Sequence, residues 1–388
     1  MRFKLILPRV DPSSIELPSE CPHADCKSPY LRRFQVVKKR IRDTTEDEVE
    51  VWRCECLACG RTFRVYPEGV DRAQASLRLR GLGVMLYLLG LSYGATSLAL
   101  DALGVYQSKS QVYEAVQSAA RRVPGLRRAA VLGGIKTAAV GADLTSVKCK
   151  GEWLHLGLAV DDISGTGLAL DILPGEDAET LNEWLSPVLE ATGAELLVTD
   201  DADSFKQVAD RHAMAHQICK SHVKRNTEAL VRELTSQVQQ SKDASLAKIG
   251  VTQEVAQADL EHLRDLTKKR NPDDEDELAR LYERYTGATA PKKGERASLA
   301  YRMYLLFLDR YNMWRRLTLY RHWEGPHGER VNGTNNCCER AFGWWIKERY
   351  RTMRGYKRPD NALCVSRLLV WCGNQTQSSG ADLSTVLA

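Results

Sequence analysis

Between residues 136 and 225 the order of apolar runs leaves few folds open. Three strand-like runs come first, "TAAVGADLTSVK", "WLHLGLAV" and "TGLALDILP", separated by short polar turns as in a meander. An amphipathic helix, "DAETLNEWLSPVLEATG", leads to a fourth strand, "AELLVT". Then come a helix "DSFKQVADRH", a fifth short strand "MAHQIC", and a helix opening in "SHVKRN". A meander followed by alternating helix and strand predicts a mixed sheet with helices on its faces. The fourth strand stops at two adjacent carboxylates, Asp200 and Asp201. A carboxylate just past a buried strand is either a helix cap or part of a site.

The rest of the chain predicts a multidomain α/β protein. Residues 1–70 hold five of the eleven cysteines. Cys21-x4-Cys26 and Cys56-x2-Cys59 are two tight pairs separated by strand-like sequence, as in a four-cysteine zinc ribbon. Cys54 competes with Cys56 for the fourth place, and buried reduced thiols are the alternative. Between the pairs, "LRRFQVVKKRIR" carries six basic residues and no acid. It is either a solvated strand face or one that contacts phosphates. Residues 71–130 read as helical: "ATSLALDAL", a turn at Gly104, and a helix opened by Ser108 or Ser110. That spacing suits a DNA-binding helix-turn-helix, or else a small helical bundle.

After an α/β part at 131–225, residues 226–330 read as an all-α insertion, with "QVQQSKDASLAK" and the acidic run "NPDDEDE" as interruptions. Residues 331–388 return to a dense mixture of Trp, Arg and Gly, with Glu339 near the start of a long helix. Residues 340–358 carry seven basic side chains against one acid, Glu348. Of these, Lys347, Arg349, Arg351, Arg354 and Lys357 are the expected DNA contacts, with Trp344 and Trp345 in the core.

Three acids stand out together. Asp143 lies within the first strand, Asp200 ends the fourth, and Glu339 follows the insertion. If the first and fourth strands are neighbours, two carboxylates meet, and converging carboxylates hold hard divalent ions such as Mg2+ or Mn2+. Cys219-x2-His222 and His322-x4-His327 flank the insertion. They are either structural residues or the four ligands of a second zinc, with Cys337 and Cys338 as rival ligands.

The motifs "GADLTSVK", "LLVTDDADSF", "HQICKSHVKRN" and "TNNCCERAFGWWIKERYRTMRGYK" resemble the RNase H-like domain of DDE transposases of prokaryotic insertion sequences, closest to Mutator-like relatives. The resemblance spans residues 136–388. It implies an RNase H-like mixed sheet interrupted by the helical insertion, and Asp143, Asp200 and Glu339 as catalytic metal ligands. It further implies double-stranded DNA as partner, namely terminal inverted repeats and a target, and a homodimer or higher synaptic complex. Asp201 stands where the family often has Gly. The alternatives are a nuclease on the same fold without strand transfer, and a non-catalytic DNA-binding regulator.

Composition fits these expectations. A net charge of +5 on 388 residues is mild, so any nucleic-acid surface is local. No apolar run reaches the 18 or so residues of a membrane span, and the start is too short in apolar residues for a signal peptide. The expected place is the cytoplasm of a bacterium or archaeon, at the nucleoid.

Overall fold

The computed structural model describes residues 4–123, 132, 134–240, 243–352 and 355–387. Its contacts divide the chain into two units, one of residues 1–126, 146–154 and 340–388, the other of 127–145 and 155–339. The C-terminal stretch expected to complete the catalytic core divides after Glu339.

The first unit holds an antiparallel sheet, β2 (Leu31–Arg40), β3 (Glu48–Cys56) and β4 (Thr62–Val65), and a short parallel pair, β1 (Leu5–Ile6) with β10 (Ala381–Asp382). At one end of the three-stranded sheet, Cys21, Cys26, Cys56 and Cys59 bring their sulfurs within 4.8 Å of one another. Cys21 lies 3.9 Å from Cys59, and Cys26 lies 3.6 Å from Cys56. Four sulfurs each about 2.3 Å from a tetrahedral zinc would stand about 3.8 Å apart, so the set fits that ion. Gly60 closes the second turn at φ +68°, where its N–H donates to the Cys56 carbonyl. Arg61 foremost draws the Cys59 thiol down to about 6, whereas Cys21 and Cys26 are raised, so the four thiols share their protons unevenly. Cys54 is fully buried outside the cluster, which settles the competition in favour of Cys56.

Three helices follow in the same unit: α1 (Leu77–Leu88), α2 (Tyr93–Ala102) and α3 (Lys109–Arg122). The last two are joined through Gly104 at φ +79°. Ser108 caps α3 in a reciprocal box with Gln111, which selects Ser108 over Ser110.

The second unit carries a five-stranded sheet. Its strands are β5 (Ala139–Cys149), β6 (Glu152–Asp161), β7 (Gly167–Leu173), β8 (Leu196–Thr199) and β9 (Ala215–Ile218), in the order β7-β6-β5-β8-β9. The last turn of the β5–β6 ribbon, 146–154, belongs to the first unit. β6 and β7 run antiparallel, whereas β5, β8 and β9 are mutually parallel. Helices α4 (Ala178–Thr192) and α5 (Asp203–Arg211) supply Leu181, Trp184, Leu185, Phe205 and Val208 to a core that takes in Val140, Ala142 and Leu197 from the sheet. Alternation along a strand then places residues 139, 141 and 143 of β5, and 196, 198 and 200 of β8 and its end, on the opposite face. Trp323 and Val331 cover part of that face by packing on Ala138, Ala139, Leu196 and Val198.

The insertion is helical, with α6 (Lys220–Gln240), α7 (Ser245–Lys248), α8 (Gln253–Lys269), α9 (Glu275–Arg284) and α10 (Leu299–Thr318). The acidic run expected as a loop instead forms a 3-10 turn and the first turn of α9, where Glu275, Asp276 and Glu277 meet the positive end of the helix. Among the described residues, no helix is long and apolar enough to cross a membrane.

The cysteine geometry makes a direct prediction. Metal analysis of Cys56→Ser should give one zinc fewer per chain than wild type, and Cys54→Ser should give none fewer. Chelation should melt the β2–β4 sheet, because structural zinc contributes folding free energy on the order of 10 kcal/mol.

Candidate active site

The pairing of β5 with β8 places the first two acids. Ala139, Val140 and Gly141 stand in register with Leu196, Leu197 and Val198. Asp143 follows Gly141 by two residues in β5, and Asp200 follows Val198 by two, just past the end of β8. The backbone N–H of Ala202 donates to Asp200 Oδ1 at 3.1 Å, so this acid also holds the turn into α5. Burial foremost pushes the Asp200 carboxyl up, the Ala202 N–H and His222 pull it down, and Asp201 and Glu176 push with burial. Asp201 is felt elsewhere, at Asp309 and Arg310 of α10. Asp143 accepts from the Leu144 N–H at 2.9 Å.

Glu339 reaches the site through a buried hinge. It sits in α11 (Asn336–Arg340), whose first turn is tied back to Asn335 by the Glu339 N–H at 3.0 Å. Asn335 is fully buried. Its side-chain amide donates to the Ala142 carbonyl at 2.7 Å, and its N–H donates to Cys219 Sγ at 3.3 Å. Gly141 makes room for it, since a Cβ there would lie 3.0 Å from Asn335 Oδ1 and 3.2 Å from Val160. The "GAD" and "TNN" motifs, nearly 200 residues apart, are therefore two sides of one contact.

Cys219 and His222 stand beside Glu339. Cys219 follows β9, and its N–H donates to the Thr199 carbonyl at 2.7 Å. His222 Nε2 is 3.4 Å from Glu339 Oε1. The Cys219 thiol foremost raises the His222 imidazole, against burial, and Glu339 and Asp143 add to the rise. Burial works to raise Cys219, but His222 and the Asn335 N–H outweigh it and the thiol is lowered. His222 is thus coupled to all three acids. Among the described residues, the clusters that could hold a metal are the four N-terminal cysteines and Cys219 with His222 and Glu339.

Two expectations are corrected here. His322 and His327 do not join Cys219 and His222. The loop that bears them begins at Trp323 and Gly325 against Ala138, at the opening of β5, whereas Cys219 lies at the closing end of the sheet's parallel strands. Five residues of strand separate Ala138 from Asp143, about 16 Å at some 3.3 Å per residue. The rival thiols also turn away, Cys337 to the Asp162 carbonyl and Cys338 to the Leu158 carbonyl. In the first unit, Arg349 is buried rather than presented to DNA. Its guanidinium lies 4.0 Å over the Tyr87 ring and donates to Thr352 Oγ1 and the Leu91 carbonyl. Lys347, Arg351 and Lys357 are exposed, Arg351 pairing with Glu348 at 2.9 Å, and Arg354 lies outside the described residues. Trp345 is core, seated where Gly373 has no side chain.

Sequence reasoning missed a hydrogen-bonded chain behind Asp200. Arg316 of α10 donates to His216 Nδ1 at 3.0 Å and to Asp210 at 2.7 Å. Because an arginine only donates, Nδ1 is an acceptor, and the His216 proton lies on Nε2. Nε2 then donates to Thr199 Oγ1 at 2.8 Å, and Thr199 donates to the Asp200 carbonyl at 2.7 Å. Burial foremost, then Arg316, lowers His216 to about 3. The partners are a hundred residues apart, and no local spacing marks them.

No protein-family model matches the sequence, and no curated protein does. Among solved structures, part of the chain is similar to the HTLV-2 integrase catalytic core in complex with magnesium. The trimeric form is 20% identical over 27% of this chain and 73% of that one, with a TM-score of 0.19. The dimeric form gives 20%, 27%, 74% and 0.18. An intasome of simian T-cell lymphotropic virus with the PP2A regulatory subunit B56 gamma is 18% identical, over 35% of this chain and 50% of that one, with a TM-score of 0.20.

The neutral His216 predicts an acid-linked loss of stability. The unfolded chain takes up this proton near 6.5 and the native one near 3, so stability falls as pH drops through that window. Denaturant midpoints should show His216→Gln with a shallower acid slope than wild type, by about 1.4 kcal/mol per pH unit.

Proposed function

We propose that the protein is a DNA transposase of the DDE type on an RNase H-like sheet. The observation that supports this reading is the parallel register of β5 with β8, which carries Asp143 and Asp200 each two residues beyond the Gly141–Val198 pair, with Glu339 3.4 Å from His222. The donor set fits hard divalent ions. Three carboxylates offer only oxygen, and the half-buried Asp200 carboxylate, crowded by Asp201 and Glu176, gains from a cation. Asp143, Asp200 and Glu339 would hold Mg2+ or Mn2+. When bound, such ions activate an attacking oxygen and stabilise a leaving one.

The chain's own residues supply position. Asn335 fixes the Glu339 helix against Ala142, and the Arg316–His216–Thr199 chain fixes the backbone that presents Asp200. In the reaction, water attacks a phosphodiester at the transposon end, which cleaves the strand and leaves a 3'-hydroxyl. That hydroxyl then attacks a phosphodiester of target DNA, forming one P–O bond as another breaks, with no covalent protein intermediate. The four-cysteine sheet and the α2–α3 pair are the proposed readers of the inverted repeats. The basic strand β2 supports this: Arg33 and Arg40 are exposed, beside Arg32 and Lys38, which pair with Glu55 and Glu48 of β3. Two ends must be joined, so the proposed working form is a dimer or larger assembly.

Strand transfer of a labelled end taken from the flanks of the gene tests the reading. Asp200→Ala should abolish joining, by roughly a thousandfold or more, the several kcal/mol expected of a lost metal ligand. Asp201→Ala should retain it. Cleavage without joining would instead make the protein a nuclease, and binding without cleavage in Mg2+ and Mn2+ a regulator.

The buried and exposed arginines separate in a second test. Arg351→Ala should leave the melting temperature unchanged and lower the salt slope of DNA binding by about one. Arg349→Ala should instead destabilise the fold by about 2 kcal/mol, because it removes a buried guanidinium that bonds the half-buried Leu91 carbonyl and covers Tyr87.

A further inference from the structure

We propose that Cys219, His222 and Glu339 form a binding site for a soft divalent ion, zinc, and that this site and the Mg2+ site exclude each other because both need Glu339. The second half rests on the functional reading above; the first half stands without it.

The donor geometry suits zinc. One atom each from Cys219, His222 and Glu339 lie within 4.8 Å of one another. Nitrogen and oxygen ligands about 2.0–2.1 Å from a tetrahedral zinc stand about 3.3 Å apart. His222 Nε2 and Glu339 Oε1 are 3.4 Å apart. Glu339 Oε1 is buried and accepts no hydrogen bond, so this oxygen has its lone pairs available. Three protein ligands leave a fourth position open, as zinc tolerates.

The surroundings prepare the sulfur. Cys219 is fully buried, and its Sγ accepts the Asn335 N–H at 3.3 Å. A backbone donor aimed at a thiolate is the kind of outer contact that orients a metal ligand. Asn335 is in turn anchored on Ala142, so the same residue supports both sites. Binding releases the thiol proton and forms one bond each from S, N and O to the ion. Thiolate and imidazole select zinc over Mg2+, whereas the Asp143 and Asp200 carboxylates select the reverse. Glu339 is the ligand common to both sets. An ion held by Cys219 and His222 therefore withdraws the third carboxylate from Asp143 and Asp200. Micromolar zinc becomes an off-state for the DNA chemistry.

Cobalt reports such a site without any assay of activity, because Co2+ takes zinc's place and each thiolate adds charge-transfer absorption. Titration of the metal-stripped full chain should show two phases, an intense one from the four-cysteine cluster and a weaker one from Cys219. Cys219→Ser and His222→Gln should each erase the weaker phase alone. Should either variant misfold, the retained intense phase and the circular dichroism spectrum will reveal it. Millimolar Mg2+ should weaken the second phase about tenfold, within the usual range of site–site coupling. In Asp143→Ala, which keeps all three soft ligands, Mg2+ should lose this effect. A single phase in wild type, or a second phase that survives both substitutions, overturns the site. A second phase indifferent to Mg2+ overturns the exclusion. Failure of DNA cleavage with both cobalt results intact would count against the transposase reading and leave the two-metal choice standing.

Discussion

The parallel pairing of β5 with β8 is the constraint on which the site depends. A sheet register is discrete, and a slip of one residue turns every side chain to the other face. Asp143 and Asp200 each follow the Gly141–Val198 pair by two residues, so this register sets where both acids stand along the sheet. The register is fixed by what lies behind it. Val140, Ala142 and Leu197 face the core under α4 and α5, and exposing them would cost about 1.5–3 kcal/mol for each of the larger two. Burial on one face thus decides the chemistry on the other.

Glu339 depends on the same strand by a different route. It is not on the sheet, and its helix is positioned by Asn335, one buried amide that touches the carbonyl beside Asp143 and the sulfur of Cys219. The absence of a side chain at Gly141 is what admits this amide. Breaking a buried amide contact of this kind typically costs about 1–3 kcal/mol. Here the larger consequence is loss of aim for the helix that carries Glu339.

Much of this was legible in the sequence, for physical reasons. The sequence of strand-like and helical runs gives the order of elements in the sheet. Two tight cysteine pairs give the four-sulfur cluster, because spacing is itself most of the geometry of such a cluster. What sequence hid was direction. His322 and His327 have good ligand spacing, yet spacing does not say at which end of a strand a loop lies. Arg349 stands in a basic run and adds to every charge count, yet its guanidinium is spent on Tyr87 and two oxygens. The His216 chain was invisible because its members come from two neighbouring strands and a helix a hundred residues away.

That last helix changes how the insertion should be regarded. An all-α segment between two parts of a sheet looks like a detachable module. Its final helix nevertheless ends on the sheet. The Gln217 side chain is bonded to the Leu317 carbonyl and the Tyr320 N–H, and Arg316 fixes the tautomer of His216. A chain shortened from α6 straight to residue 331 would keep every acid and every strand. It would lose the outer rung of the ladder that steadies Asp200, and a histidine free to hold its proton on either nitrogen would take its place. Domain trimming, so often harmless at a loop, would here amount to surgery on the proposed active site.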